Sequence, residues 1–256
     1  MTTISLSSDG ARARLELRAG TIVPREIERG RSSARVALVA GGALLLGGDA
    51  IAIRVVIGEG CTLELEDIGG TVAYDADGEE STWSVDVVVE TGATFLWHGL
   101  PMIVADGANV SRRMRVTLAP EARACLRETV VLGRANEVGG RLRQRTDIAI
   151  AGVPAFVEEL NIGDGVDIPG VIGANRVLDS VLVAGARAPF TPPLVRVLEF
   201  ESSGSLARYL GADTHRSPLD AVWSSWSGSI RALREQRPAA VPTTRQDRLD
   251  HLAIIR

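Results

Sequence analysis

Val87-Val88-Val89-Glu90-Thr91-Gly92-Ala93-Thr94-Phe95 decides how this chain is read. An apolar run meets a turn around glycine, and a second apolar run follows. The same order occurs at Val55-Val56-Ile57-Gly58-Glu59-Gly60-Cys61-Thr62-Leu63 and at Val116-Thr117-Leu118-Ala119-Pro120-Glu121-Ala122-Arg123-Ala124. Gly60 and Gly92 stand 32 positions apart, and Glu121 follows 29 later. A strand–turn–strand unit at such spacing predicts copies stacked on one another, each burying its apolar face on the next. The expected fold is mainly β, with a β-helix-like (solenoid) body. Any antiparallel β protein also repeats apolar run, glycine turn, apolar run, so the pattern alone leaves that alternative open.

Outward from the repeat, the alternation of residues 11–23 reads as a strand, and residues 35–46 read as another. Gly47-Gly48-Asp49 makes a turn before a buried strand at 51–57. Strands are also expected at 63–66, 71–74, 82–90 and 94–97, with an acidic turn over 75–80. Residues 142–150 and 153–162 form a hairpin across Ala151-Gly152, a Gly/Asp/Pro-rich connection covers 163–173, and strands return at 177–184 and 194–200. The period then changes. Ser217 is placed as an N-cap, Pro218 at the first helical position and Asp220 in the first turn. Leu219, Val222, Trp223, Trp226, Ile230 and Leu233 recur at helical spacing, so an amphipathic helix is expected over 217–235. Residues 1–237 form one expected domain, and 238–256 an expected disordered tail.

Bulk composition narrows the function classes. The chain has 256 residues, 45% hydrophobic and 23% charged, an ordinary globular balance. A net charge of −4 gives no reason to expect nucleic acid. All 28 Lys-or-Arg residues are arginine, so no lysine can form a Schiff base or serve a P-loop. Cys61 and Cys125 lie in apolar strands and read as buried, reduced thiols. No apolar leader is visible in residues 1–10, and the longest apolar run, 36–46, is broken by glycine and too short for a bilayer. No membrane association and a cytoplasmic location are expected.

Catalytic signatures are missing. His98, His215 and His251 are scattered, and no CxxC, P-loop or GxSxG occurs. His98 reads as a partly buried histidine at a strand end rather than as a ligand. Two carboxylates stand out by strand phase. Glu128 interrupts a face carrying Ala124, Leu126, Val130 and Leu132, and Glu158 interrupts one carrying Phe156, Leu160 and Ile162. A carboxylate in such a place must be paired, protonated or bound to a cation. An ion pair with an arginine such as Arg134 or Arg145 is the plain alternative. Glu64 and Glu66 read as solvated, and Asp49 as a turn aspartate.

These residues also carry a resemblance. Leu44-Leu45-Leu46-Gly47-Gly48-Asp49, the first repeat, and Gly70-Thr71-Val72-Ala73-Tyr74 resemble the N-terminal half of the urease accessory protein family UreD, also called UreH. Leu96-Trp97, Asp106-Gly107-Ala108, Glu128-Thr129-Val130-Val131-Leu132-Gly133-Arg134, Val157-Glu158-Glu159-Leu160 and Ala207-Arg208-Tyr209-Leu210-Gly211 follow in the family's order, so that the likeness runs from about residue 11 to 235. It implies a helix-poor β fold and a non-enzymatic chaperone with no permanently bound cofactor. It also implies binding to UreF, recruitment of UreG through it, and help in inserting nickel into apo-urease. A water-filled passage for transient nickel would be lined, by position, with Asp49, Thr71, Glu128 and Glu158. The chain departs from the family at Val72, at Gly99-Leu100-Pro101 and near Pro242-Thr243-Thr244-Arg245. A β-helical polysaccharide hydrolase or lyase is the competing reading, although 4% aromatic residues supply few sugar-stacking platforms. A plain interaction scaffold without a metal role is the third.

Overall fold

The structure is a computed structural model that describes residues 1–163, 172–189 and 195–235. It opens with β1 (Thr2–Ser8), β2 (Ala13–Arg18), β3 (Ile22–Arg29) and β4 (Ser33–Ala40). Three coils follow. β5 (Ala50–Ile57) turns into β6 (Thr62–Asp67), and β7 (Thr71–Ala73) lies in the return. β8 (Ser81–Val89) turns into β9 (Thr94–His98), with β10 (Met102–Val104) in the next return. β11 (Asn109–Leu118) then turns into β12 (Arg123–Leu132). β13 (Arg141–Ile150) and β14 (Val153–Ile162) form the expected hairpin, with Ala151 and Gly152 both at positive φ. β15 (Val177–Ala184), β16 (Val197–Glu199), β17 (Gly204–Gly211), a short 3₁₀ turn (Thr214–Arg216) and one α-helix, α1 (Leu219–Glu235), complete the described elements.

Each coil gives one strand to each of two facing sheets. The first sheet runs β14-β13-β11-β8-β5-β1-β2, and the second runs β16-β17-β15-β12-β9-β6-β4-β3 with β7 and β10 attached. Coil strands pair in parallel, in register. Val55 pairs with Val87, Val87 with Val116, and Val116 with Ile148. Opposite them, Leu65 pairs with Trp97 and Trp97 with Leu126. Because side chains alternate along a strand, every second residue of each row faces the other sheet. The rows Ile53-Val85-Met114 and Ile57-Val89-Leu118 are buried there and form the main core. The solenoid reading of the repeat therefore holds.

The turns show why the repeat is legible. Gly60, Gly92 and Glu121 adopt φ of 64°, 64° and 60°, the left-handed conformation. The following residue closes each turn: the amides of Cys61, Ala93 and Ala122 donate to the carbonyls of Gly58, Glu90 and Ala119. The coils also stack through their turns, with Gly60 N–H donating to Thr91 O and Gly92 N–H to Pro120 O. Glycine fits this conformation without steric cost, and Glu121 takes it as the one non-glycine of the three.

α1 lies outside this body, on the outer face of the second sheet. Leu219, Val222, Trp226 and Ile230 bury there against Leu96, Cys125, Val181, Val183 and Ala207. Ser217 accepts from Leu219 N–H at 3.3 Å, the expected N-cap contact, and donates to Asp179 at 2.6 Å. Leu233 is exposed, so the apolar stripe ends a turn earlier than its spacing suggests.

Several expectations need correction. Residues 11–23 are two strands, parted around Gly20, where a Cβ would sit 2.7 Å from the Met1 carbonyl carbon. The 35–46 strand stops at Ala40; Leu44 and Leu45 are buried as an irregular plug. The polar N-terminus hides β1, whose Ile4 and Leu6 belong to the core. The 163–173 connection, the start of the 194–200 strand and the 238–256 tail fall wholly or partly outside the described residues.

Candidate functional site

A file of polar side chains crosses the apolar space between the sheets. Glu158 projects from β14 and Arg208 from β17, and they form a two-pronged ion pair, with N–O distances of 2.6 and 2.7 Å. Arg208 also donates to Ser180 Oγ on β15 at 3.1 Å. Further along, Glu128 on β12 lies 2.5 Å from Arg112 Nη2 on β11. Arg112 in turn approaches Gln144 Oε1 on β13 at 3.4 Å. Both pairs are thus bridges between facing sheets. The ion-pair alternative for the two glutamates holds, with partners other than Arg134 and Arg145: Arg134 binds Glu137, while Arg145 binds Asp147 and Glu159.

Strand register lines the file up. Arg208 pairs with Ser180, and Ser180 pairs with Glu128. His98 is level with Arg127 on one side and with Glu66 on the other. One position on, the row therefore continues from Glu128 through Gly99 to Asp67. Asp67 accepts hydrogen bonds from Trp97 Nε1 at 3.1 Å and Leu100 N–H at 3.0 Å. Burial pushes its carboxyl above the usual range, against those two bonds. At Gly99 a Cβ would lie 2.6 Å from Arg127 O, so the residue that departs from the family pattern also lets the strands close up here.

Two cavities follow the file. One is lined by Glu128, Gln144, Thr146, Glu158, Ser180 and Arg208 among apolar neighbours. The other is lined by Asp67, Thr71, Trp83, Gly99, Arg112 and Glu128 among others. Leu126 and Glu128 belong to both, so the cavities adjoin at the Arg112–Glu128 contact. Each offers water centres a volume of about 20 Å³, enough for a water molecule. Among the described residues, the buried atoms Trp83 Nε1, Arg112 Nε and Glu128 Oε1 have no hydrogen-bond partner. The Arg112–Glu128 contact is therefore a close charge pair without an aligned hydrogen bond. Buried polar atoms beside a cavity of this size are ordinarily satisfied by water.

Three of the four residues assigned to the passage by position thus come together, with Glu128 between Thr71 and Glu158. Asp49 stands apart from the lining of both cavities. Its carboxylate accepts from Leu46 N–H at 3.0 Å in the Gly47-Gly48 turn. No group of three or more His, Cys, Asp or Glu residues able to hold a metal ion occurs among the described residues. The file presents single carboxylates, each paired with an arginine, and among the described residues it does not build a closed coordination shell.

Strand phase would also have found the residues that were missed. Arg112 interrupts Val110, Met114, Val116 and Leu118, and Asp67 ends the row of Leu63 and Leu65. Arg208 shares its face with buried Leu206. Glu64 and Glu66 are ion-paired to Arg231 and Arg35, where solvated carboxylates were expected.

A second polar cluster lies under α1. Asp179, 1% exposed, accepts from Arg127 Nη2 at 3.0 Å, Thr129 Oγ1 at 2.9 Å and Ser217 Oγ at 2.6 Å. Arg127 also reaches Asp220 on the helix at 2.5 Å. His98 stacks on Trp223 with ring centroids 5.1 Å apart. Burial first, and then the neighbouring Arg127 charge, lower its pKa. No helix among the described residues is long and apolar enough to cross a membrane.

Residues 11–246 match the family model described as UreD urease accessory protein. The chain is 38% identical to urease accessory protein UreD 1 of Streptomyces griseus subsp. griseus, over 88% of this chain and 89% of that protein. It is 32% identical to UreD 1 of Saccharopolyspora erythraea, over 82% and 87% of the two chains. It is 30% identical to UreD of a Parafrankia species, over 89% and 88%.

Proposed function

This chain belongs to the UreD family of urease accessory proteins, and on that premise we propose that it acts as a non-catalytic scaffold that passes nickel towards apo-urease along the polar file. It would bind UreF, and through UreF the GTPase UreG, as the family resemblance implies. One observation carries the nickel reading. Glu128 and Glu158, picked out separately by strand phase, face the same cavity inside the sheet pair. Single carboxylates and water are weak, exchangeable ligands, which suits transit better than a thiolate or imidazole cage would.

A hydrolase reading draws less support. Both glutamates are engaged by arginines. Trp83, Trp97 and Trp226 are buried, and Trp223 is stacked on His98, so the tryptophans do not form a sugar platform.

The test is urease activation in cells or a reconstituted mixture with Glu128→Gln and Glu158→Gln. Each change leaves a partner arginine short of its counter-charge. Arg208 keeps Ser180 and is 24% exposed at its side chain, so Glu158→Gln should cost only about 1–2 kcal/mol and leave the protein folded. Activation should fall while folding and UreF binding persist. Full activation by the double variant would remove nickel transit from this file.

A further inference from the structure

The carboxylates of the file already hold cations that belong to the chain. Arg208 covers both oxygens of Glu158, and Arg112 lies against Glu128. The second contact stands where the two cavities adjoin, since Glu128 lines both. A guanidinium and a divalent metal ion compete for the same carboxylate oxygens. Taken together, Glu128, Glu158, Arg112 and Arg208 carry no net charge. A divalent ion entering beside both arginines meets two like charges in a low-dielectric space, where repulsion is much stronger than in water.

Each guanidinium also has a second acceptor next to it. Arg208 donates to Ser180 Oγ, and Arg112 approaches Gln144 Oε1. Either can release its carboxylate without losing every partner. We propose that Arg208 and Arg112 are the exchange gates of the passage. Each occupies its glutamate as a resident cation, and a divalent metal ion moves on only by taking that glutamate while the guanidinium turns to Ser180 or Gln144. The arginines thereby keep metal affinity low and make each carboxylate a stopping point that cannot trap its cargo. This proposal rests on the reading of the file as a nickel route.

The test is equilibrium dialysis of untagged full-length protein against Ni²⁺, with wild type, Arg208→Gln, Arg112→Gln and the double variant Glu158→Gln/Arg208→Gln. Removing one guanidinium should lower the nickel Kd at least tenfold. The double variant, which lacks both the gate and its carboxylate, should return to the wild-type value. Folded Arg208→Gln and Arg112→Gln proteins that bind nickel no more tightly than wild type would overturn the proposal. So would a gain that persists in the double variant. A collapse of Arg208→Gln that is repaired in Glu158→Gln/Arg208→Gln would make that arginine structural and would also overturn it. The route and the gates can fail separately. If the arginine variants gain nickel but Glu128→Gln and Glu158→Gln leave urease activation intact, the route fails and the exchange chemistry stands.

Discussion

Replacing Asp179 with alanine should loosen α1 from the body more than any change on the exposed side of the helix. Asp179 is 1% exposed and gathers Arg127, Thr129 and the N-cap Ser217 onto one carboxylate. Removing one member of a buried charge pair typically costs ~3–5 kcal/mol, because the other charge is left uncompensated. Here Arg127 keeps Asp220, so the lower end, about 3 kcal/mol, is expected. For a chain of this size that corresponds to a fall in Tm of roughly 6–12 °C. Asp220 is the control. It binds the same arginine, but its side chain is 87% exposed, and Asp220→Asn should cost under about 1 kcal/mol. Thermal unfolding followed by circular dichroism measures both. A loss below about 0.5 kcal/mol for Asp179→Ala, or equal losses for the two variants, would refute the assignment of Asp179 as the pin of the helix.

Other outcomes follow from single features. Gly60→Ala meets nothing within 4 Å, so only its left-handed φ resists; a loss of about 1 kcal/mol in urea unfolding is expected, and none would mean that the turn relaxes. His98 has a lowered pKa, so the folded state resists its protonation and stability should fall as pH drops below about 6.5 towards the folded value. His98→Gln should flatten that part of a stability–pH curve and remove any titration of Trp223 emission; an unchanged curve would place the proton elsewhere. Cys61 and Cys125 are buried thiols, and burial pushes the Cys125 thiol well up. Neither should react with a thiol reagent until the protein unfolds, and rapid labelling of the native protein would contradict that burial.

The body was legible because its repeat is local. A turn glycine, or Glu121 in the same conformation, recurs between runs whose alternation fixes which side chains face inward. The hairpin at Ala151-Gly152 and the capped helix at Ser217 were readable for the same reason. β1 was not, since Thr2, Ile4 and Leu6 alternate with polar residues over too short a stretch. Glu128 and Glu158 announced themselves by breaking apolar rows. Arg112 breaks such a row as well, but which arginine meets which glutamate was not legible, because Arg112 and Arg208 come from the opposite sheet and the phase of one strand does not say what faces it across the core. Asp49 lay within the resemblance, but its geometry is that of a turn residue.

The stacking of coils sets a scale on the file. Asp67, Glu128 and Arg208 stand on β6, β12 and β17, with one strand between each successive pair. Neighbouring strands lie ~4.8 Å apart, so each interval is about 10 Å and the whole span about 19 Å. The backbone hydrogen bonds between strands, and not the side chains, therefore act as the ruler. A substitution can change which side chain stands at a given level of the file, but only gaining or losing a strand can change how far apart those levels are.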